Sequence, residues 1–274
     1  MKRKEGELEV SFEEAQKLCA TYLTLNTNQM LYNDLVAILG EEKIAQFKQK
    51  SVREIYNEII MRKYPNEYAI KSSFINKVLL RGKSHVSIFE LNVGRSRADL
   101  CKINGTSIAY EIKTDLDNFN RLKKQLNDYL QVFEQVYVIC SANRLEKIKT
   151  LIPKQVGIYV YTCKNGEYVY RREQEALISI ERLCPRKQLE IFTKQELFRS
   201  FEENLSMDIR ESKELMREYI LKTVSPCKIN SKLKKCLKNR YNKQWTFLRD
   251  NHQQILDIDY QWFFKMNVAP SIIY

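Results

Sequence analysis

Apolar residues recur every three or four positions along the N-terminal part of the chain, and this period predicts amphipathic helices. Two of these helices begin at Ser11 and Ser51, and in both cases a glutamate follows three residues later, the signature of a capping box. Pro65 is expected to end the second helix, because proline cannot continue the backbone hydrogen bonds. Residues 1–83 are therefore predicted to form a helical N-terminal region.

From residue 84 to residue 175 the apolar pattern alternates along short segments, which predicts strands. The predicted order is three strands, a helix and a fourth strand, followed by a further helix (about 142 to 152) and two strands. In chain order, the segments of the first four strands and the helix read HVSIFELNV, RADLCKI, SIAYEIK, DLDNFNRLKKQLNDYLQVF (helix) and QVYVIC. This order predicts an α/β fold with a small mixed β-sheet flanked by helices.

Residues 176–274 return to a helical pattern and are strongly basic. A third capping box begins at Thr193. Between Lys228 and Arg249 there are eight Lys or Arg residues and no acidic residue, with aromatic residues interleaved. Two interpretations stay open: a surface that follows a nucleic-acid backbone, or an amphipathic helix whose basic face is solvated and whose aromatic residues are buried. The apolar C-terminal segment is expected to dock on the domain or on a partner.

The composition narrows the function classes. A formal net charge of +12 favours polyanionic partners. Seven cysteines form no Cys-x-x-Cys pair, which favours a reducing, cytoplasmic location. Two histidines disfavour a zinc site or a histidine-based triad. The charged N-terminus predicts no signal peptide, and we expect no membrane-spanning segment because no apolar run is long enough.

Three charged residues, Asp99, Glu111 and Lys113, lie in the predicted second and third strands. A two-residue turn at Asn104 and Gly105 pairs residue 103 with 106 and puts the two carboxylates on opposite sides of the sheet. A three-residue bulged loop with a left-handed Gly105 pairs 102 with 106 and puts all three charges on one side. The second register also gathers the apolar residues on the other face, and we therefore prefer it.

Two carboxylates and a lysine on one face of a sheet are costly unless something compensates their charge. Mg²⁺ prefers hard oxygen ligands, and a lysine beside the ion would stabilise developing negative charge or position water. The alternative is an exposed hairpin with a cross-strand ion pair such as Arg97–Glu111. The same Glu-x-Lys pattern occurs at Glu41 and Glu211 in helical contexts, so strand placement is what distinguishes Glu111.

The segment RADLCKINGTSIAYEIKTD, followed by RLKKQLNDYLQVFEQVYVIC, resembles the PD-(D/E)XK nuclease superfamily. Within that superfamily it is most similar to a poorly characterised group of bacterial and phage-associated proteins. Their shared segment reads Arg-Ala-Asp, Glu-Ile-Lys and a Gln-x-x-x-Tyr helix. The resemblance covers residues 84–145, and Ala98 stands where the superfamily's name-giving proline would be.

The resemblance implies a restriction-endonuclease-like core and a divalent metal, Mg²⁺ or Mn²⁺. Asp99, Glu111 and Lys113 match the catalytic motif, and Gln125 and Tyr129 match the Gln-x-x-x-Tyr pair. For Tyr129, a place in the apolar stripe of the helix is an equal alternative. The implied metal ligands are, in chain order, Glu90 as an extra carboxylate, Asp99, Glu111 and the backbone carbonyl of Ile112. For Glu90, a solvent-facing or helix-capping role stays open.

These features together predict a metal-dependent nuclease that hydrolyses phosphodiester bonds, with DNA as the expected substrate. By their positions near the motif, the expected nucleic-acid contacts are Arg95, Arg97, Arg121, Lys123 and Lys124. The rival interpretation is a nucleic-acid-binding module with the same fold that does not cleave, or one component of a phage-defence or mobile-element system. An RNA substrate and the oligomeric state stay open.

Overall fold

The computed structural model describes residues 9–82, 84–164, 166–205 and 212–274. The α-helices are α1 (Phe12–Thr21), α2 (Asn28–Leu39), α3 (Glu41–Ile44), α4 (Val52–Lys63), α5 (Glu67–Phe74), α6 (Leu122–Leu130), α7 (Leu145–Leu151), α8 (Pro185–Glu190), α9 (Lys194–Phe201), α10 (Lys213–Thr223), α11 (Pro226–Asn251) and α12 (Tyr260–Met266). The strands are β1 (Val86–Val93), β2 (Ser96–Asn104), β3 (Thr106–Lys113), β4 (Gln135–Ser141), β5 (Gly157–Lys164) and β6 (Glu167–Gln174). No helix among these described residues is both long enough and apolar enough to cross a bilayer.

The six strands form one mixed sheet in the order β1-β2-β3-β4-β5-β6. The first three strands are antiparallel, whereas β4 runs parallel to β3 and β5 parallel to β4. A parallel neighbour requires a crossover connection, and α6 supplies it between β3 and β4. The predicted α/β class and mixed sheet flanked by helices are therefore confirmed.

The chain divides into two compact units. The first contains the described residues up to Asn76, the tip of the β5–β6 hairpin (163–169) and residues 247–274; the second contains 77–162 and 170–246. In the first unit, α1, α2 and α4 bury a common apolar core that includes Leu18, Leu35 and Tyr56. All three predicted capping boxes are present, at α1, α4 and α9.

The β2–β3 hairpin has a register that differs from both predicted registers. Asn104 pairs with Thr106 and Ile103 pairs with Ser107, so that Gly105 alone separates the nearest pair. Gly105 adopts a left-handed φ of +70°, which glycine tolerates because it has no Cβ. The turn is thus tighter than the bulged loop, in which residue 106 would pair with residue 102.

The two-residue difference from the preferred register leaves every side chain on its predicted face, because side chains alternate with a period of two. The pairs Cys101–Ala109 and Leu100–Tyr110 place Asp99 opposite Glu111 when the ladder is extended by one residue. The prediction that the charged residues share one face is therefore confirmed. On the other face, Tyr110 stacks on Tyr137, with ring centroids 5.7 Å apart.

The crossover helix α6 is shorter than predicted. The apolar spacing predicted one helix over DLDNFNRLKKQLNDYLQVF, but α6 begins only at Leu122. The preceding residues form a turn in which the Asp117 carboxylate accepts hydrogen bonds from the backbone N–H of Thr114, at 2.7 Å, and from its hydroxyl, at 2.8 Å. Such local side-chain hydrogen bonds compete with helix formation. The predicted helical positions of Leu116 and Phe119 are wrong.

A buried carboxylate, which the sequence did not reveal, connects α11 to the hairpin. Glu134 accepts hydrogen bonds from the backbone N–H of Ser107 at 2.6 Å and from Asn230 at 2.8 Å, and it forms an ion pair with Lys234 at 2.8 Å. Lys234 also donates to the carbonyl of Gly105 at 2.5 Å. Burial alone would raise the pKa of Glu134, but the hydrogen bonds and the charge of Lys234 hold it below its usual value.

Lys234→Met is expected to lower the free energy of unfolding by about 2 kcal/mol at neutral pH, since Glu134 would lose a charged partner. A depressed carboxylate pKa contributes stability above the unfolded-state pKa, and this contribution is lost as the pH falls through the folded-state pKa. The difference from wild type should therefore shrink at about pH 4 and below. Urea denaturation at both pH values measures it, with the exposed Lys235→Met as control. An equal effect in both variants would contradict the proposed pairing.

The basic stretch from Lys228 to Arg249 lies within one helix, α11, and its aromatic residues are buried or half-buried. Trp245 is buried, with its ring 5.0 Å from that of His85. Arg240 pairs with Glu196 at 2.5 Å, and Lys228 and Lys232 each pair with Glu203 at 3.5 Å. Because much of its charge is paired within the protein, this helix is a weaker candidate for a nucleic-acid surface than the residues beside the motif.

Candidate active site

The three charged residues of the motif are held between the sheet and α6. Asp99 on β2 and Glu111 and Lys113 on β3 are all buried, with exposed fractions of 8%, 1% and 9%. From α6, Gln125 and Tyr129 meet this cluster, one helical turn apart. The structure thus brings together the five residues predicted to act in catalysis.

Glu111 lies at the centre of this group. Its Oε1 accepts a hydrogen bond from Lys113 Nζ at 2.7 Å, and its Oε2 lies 2.8 Å from the Tyr129 hydroxyl. Lys113 also donates to Gln125 Oε1 at 3.3 Å. The Tyr129 hydroxyl is 2.7 Å from the carbonyl oxygen of Arg97 as well, so its single proton serves one of the two acceptors at a time. Tyr129 is both fully buried and engaged with the site.

Asp99 is oriented by the neighbouring strand. Its Oδ2 accepts a hydrogen bond from the backbone N–H of Ile112 at 2.6 Å. This contact fixes the carboxylate beside the backbone of the residue between Glu111 and Lys113. Oxygens of the Glu90 and Asp99 carboxylates lie within 4.8 Å of each other. The extra carboxylate suggested by the sequence is therefore part of the cluster.

The backbone of Glu90 has an unusual conformation for a strand residue. Its φ is +57°, and the β1–β2 ladder pairs Phe89 with Leu100 and Leu91 with Ala98 but omits the intervening residue. A left-handed glutamate costs about 1–3 kcal/mol, and such strain concentrates at functional sites. The Glu90 carboxylate forms an ion pair with Arg97, so the alternative Arg97–Glu111 pair is wrong, as is a solvent-facing Glu90.

The carboxylates give the site a negative electrostatic field. Burial, the charge of Glu111 and the hydrogen bond to it raise the pKa of Tyr129 well above its usual value, so that it stays a neutral donor. Burial and the charges of Asp99 and Glu90 likewise raise the pKa of the Cys101 thiol, which lies on the same sheet face. Negative charge that is buried in this way favours a cation.

The donor set fits a hard divalent cation. Asp99 and Glu111 supply carboxylate oxygens, Glu90 supplies a third carboxylate next to Asp99, and the backbone of Ile112 lies beside them. Mg²⁺ and Mn²⁺ prefer such oxygen ligands. Burial of the Asp99 and Glu111 carboxylates would limit competition from bulk water for a bound cation.

The residues predicted to contact nucleic acid lie at the protein surface, in or next to the elements that carry this cluster. In chain order they are Arg95, Arg97, Arg121, Lys123 and Lys124, and all five are exposed. Arg97 keeps 62% of its side chain exposed despite its ion pair. Arg121 precedes the first turn of α6. Their exposure leaves all five side chains accessible to a nucleic acid, and their role in binding stays a prediction.

Known proteins were compared with the chain as a whole. The profile of the family described as bacteriophage P4 protein cII matches residues 61–261, a range that includes the complete site. The chain belongs to the bacteriophage P4 cII protein family. Protein cII of Enterobacteria phage P4 is 30% identical to the chain over 90 residues. That segment is 33% of this chain and 32% of the phage protein, so the chain spans about a third of that relative.

One solved structure also shows similarity, the SPO1766 protein of unknown function from Silicibacter pomeroyi. The similar region covers 47% of this chain and 88% of that protein, at 18% sequence identity and a TM-score of 0.30. This likeness is too weak to carry a conclusion about fold or function. Neither relative's name states an activity.

Proposed function

We propose that this protein is a divalent-metal-dependent nuclease of the PD-(D/E)XK type that hydrolyses phosphodiester bonds, with DNA as its substrate. The observation that carries the proposal is the buried pair of Glu111 and Lys113, 2.7 Å apart, on the sheet face that Asp99 shares. A lysine and two carboxylates in this arrangement supply both a site for the metal and a cation for the reacting phosphate.

Mg²⁺ or Mn²⁺ held by Asp99 and Glu111, with Glu90 and the carbonyl of Ile112 as further donors, would activate water and polarise the scissile phosphate. Lys113 has three N–H donors, of which two bind Glu111 and Gln125. The third donor is available to a non-bridging phosphate oxygen, where the ammonium charge stabilises the negative charge of the transition state.

The residues of α6 act by positioning the catalytic groups. Gln125 Oε1 holds the ammonium of Lys113, and the Tyr129 hydroxyl holds Oε2 of Glu111. Outer contacts of this kind orient metal ligands and commonly affect metal affinity. Burial of the ring of Tyr129 in the core fixes its hydroxyl relative to β3. The helix thus sets the distance between the carboxylate and the ammonium group.

The charge of the protein supports a polyanionic substrate. The net charge is +12, and Arg95, Arg121, Lys123 and Lys124 are exposed residues that lie in or next to the strands and the helix carrying the acidic cluster. Basic residues around an acidic centre attract a phosphate backbone, while the carboxylates stay paired with a metal ion. RNA and DNA strands would present the same phosphates to these residues, so a cleavage assay with both substrates is needed to distinguish an RNA from a DNA substrate.

A second candidate is a module with this fold that binds nucleic acid without cleaving it. The observation that favours it is the closed set of contacts around Glu111, where Lys113 and Tyr129 engage both carboxylate oxygens. A site whose charges compensate each other internally can be stable with no metal and no turnover. In that case DNA binding would be tight without metal and insensitive to replacement of Lys113.

The experiment that tests the proposal is a cleavage assay on supercoiled plasmid, linear duplex, single-stranded DNA and RNA, each with Mg²⁺, Mn²⁺ or EDTA. We expect at least one DNA substrate to be cleaved with a metal ion and none to be cleaved with EDTA. Cleavage of RNA alone would correct the substrate class. A folded protein that cleaves none of the four substrates with either ion would overturn the proposal in favour of the binding module.

A further inference from the structure

A cavity of about 420 Å³ lies in the second unit, next to the end of β3. Residues 114–120 are called the 114–120 loop, and its residues 117–120 form one wall. Residues of α7 and Arg144, which precedes α7, form the other wall. The lining residues are Asp117, Asn118, Phe119, Asn120, Arg144, Lys147 and Leu151. Lys113, the last residue of β3, immediately precedes the loop. The cavity therefore adjoins the candidate active site along the chain.

The ring of Phe119 makes cation–π contacts with two basic side chains. The guanidinium carbon of Arg144 lies 5.5 Å from the centre of its ring, and Lys147 Nζ lies 5.1 Å from it. The ring is only half-buried. A partly exposed aromatic ring with a guanidinium and an ammonium group combines a surface for base stacking with two partners for phosphate.

The cavity walls are held in place by specific contacts. Arg144 donates to the carbonyl of Asp115, and its Nε lies 3.4 Å from Asp115 Oδ1. Ser141, at the end of β4, donates to the same carboxylate oxygen at 2.5 Å. Asp117 is occupied by Thr114, at 2.7 and 2.8 Å. The acidic residues of the loop are thus used to build it, and Lys147 supplies a further positive charge.

We propose that this cavity binds one nucleotide of a single-stranded polynucleotide and so holds the strand beside the active site. The base packs against Phe119, and its phosphate meets Arg144 and Lys147. Asn118 and Asn120 offer amide donors and acceptors to the edge of the base. In a duplex the bases are stacked and paired, so a site of this kind selects unpaired strands. The inference rests on the proposed nuclease function and names its substrate class.

The test is binding of a fluorescently labelled oligothymidylate in EDTA, measured by anisotropy, so that no cleavage contributes. Phe119→Leu keeps apolar volume but removes the ring, and it is expected to weaken binding about tenfold. Lys147→Gln is expected to weaken binding and to reduce the slope of log affinity against log salt by about one. A labelled duplex should be bound about equally by wild type and Phe119→Leu, because its bases are not available for stacking.

Two control variants match these changes. Leu116→Ala removes an exposed apolar side chain of the same loop that does not line the cavity. Lys149→Gln removes a charge of α7 that pairs with Glu146 and Glu173 instead. If the controls weaken binding as much as Phe119→Leu and Lys147→Gln do, or if wild type binds no single strand, the inference is overturned.

A competition experiment distinguishes the strand from a free nucleotide. Thymidine monophosphate that displaced the oligonucleotide at the same concentration would identify a mononucleotide site and overturn the assignment to a strand. The inference and the nuclease proposal fail separately. If single-strand binding depends on Phe119 but the protein cleaves no substrate, this inference holds and the nuclease proposal fails. If the protein cleaves DNA but Phe119→Leu does not weaken single-strand binding, this inference fails and the nuclease proposal holds.

Discussion

Lys113→Met is expected to slow metal-dependent phosphodiester cleavage by about 10²- to 10³-fold, the usual cost of removing one charged or hydrogen-bonding group that stabilises a transition state. Methionine keeps the length of the side chain but has no charge and no N–H donor. The variant also leaves the buried Glu111 without its cation, so its melting temperature should fall in the absence of metal. Initial cleavage rates at saturating Mn²⁺ measure the catalytic effect.

Melting curves with and without Mn²⁺ separate catalysis from metal binding. In Lys113→Met the ion would replace the lost cation, and we expect a metal-induced rise in melting temperature at least as large as in wild type. Asp99→Asn should lose both the rise and the cleavage. Lys102→Met, on the opposite face of the same hairpin, should keep both. A folded Lys113→Met that cleaves at the wild-type rate would contradict the assigned role of the ammonium group.

Local patterns predicted the elements of the fold well where a local rule decides the structure. The serine or threonine and the glutamate of each capping box lie three residues apart and bond each other within one helical turn. Strand alternation in RADLCKI and SIAYEIK depends on each segment alone. The predicted helix does not form over residues 115–121, although its apolar spacing fits a helix, because Asp117 offers the backbone of Thr114 a stronger local hydrogen-bond partner.

The hairpin register could not be predicted for a different reason. Pairing residue 106 with 102 or with 104 places the same side chains on the same faces, so the hydrophobic pattern does not distinguish the two registers. Only the backbone conformation at Gly105 decides between the two registers, and a glycine is compatible with several types of turn. The prediction that Asp99, Glu111 and Lys113 share one face of the sheet was nevertheless correct. The two registers differ by two residues, and such a shift leaves each side chain on the same face.

The partners of the charged residues were the least predictable part of the site. Glu111 accepts a hydrogen bond from Tyr129, eighteen positions later in the chain. Arg97, which the alternative prediction paired with Glu111, forms an ion pair with Glu90. Neither pairing follows from the strands alone, since each depends on how closely α6 packs and on the left-handed backbone of Glu90. The sequence left open whether Tyr129 belongs to the apolar core or to the candidate site. Its ring is buried in the core, and its hydroxyl binds Glu111 in the candidate site.

Tyr129→Phe is expected to raise the Mg²⁺ concentration for half-maximal cleavage by about tenfold, because the change removes the hydroxyl that orients Glu111 and keeps the buried ring. The loss of stability should be small, about 1 kcal/mol, for one hydrogen bond. Cleavage rates across a Mg²⁺ titration measure the first effect and urea denaturation the second. A purely structural role would lower stability but leave the half-maximal Mg²⁺ concentration unchanged.

Tyr137→Phe provides the matched control, since its hydroxyl binds Glu175 and its ring packs on the opposite face of the sheet. It should change stability by a similar amount and leave the Mg²⁺ dependence as in wild type. If Tyr137→Phe and Tyr129→Phe shift the Mg²⁺ dependence equally, the effect comes from general loosening of the sheet. A shift confined to Tyr129→Phe would mean that α6 determines metal affinity through a single hydroxyl on Glu111.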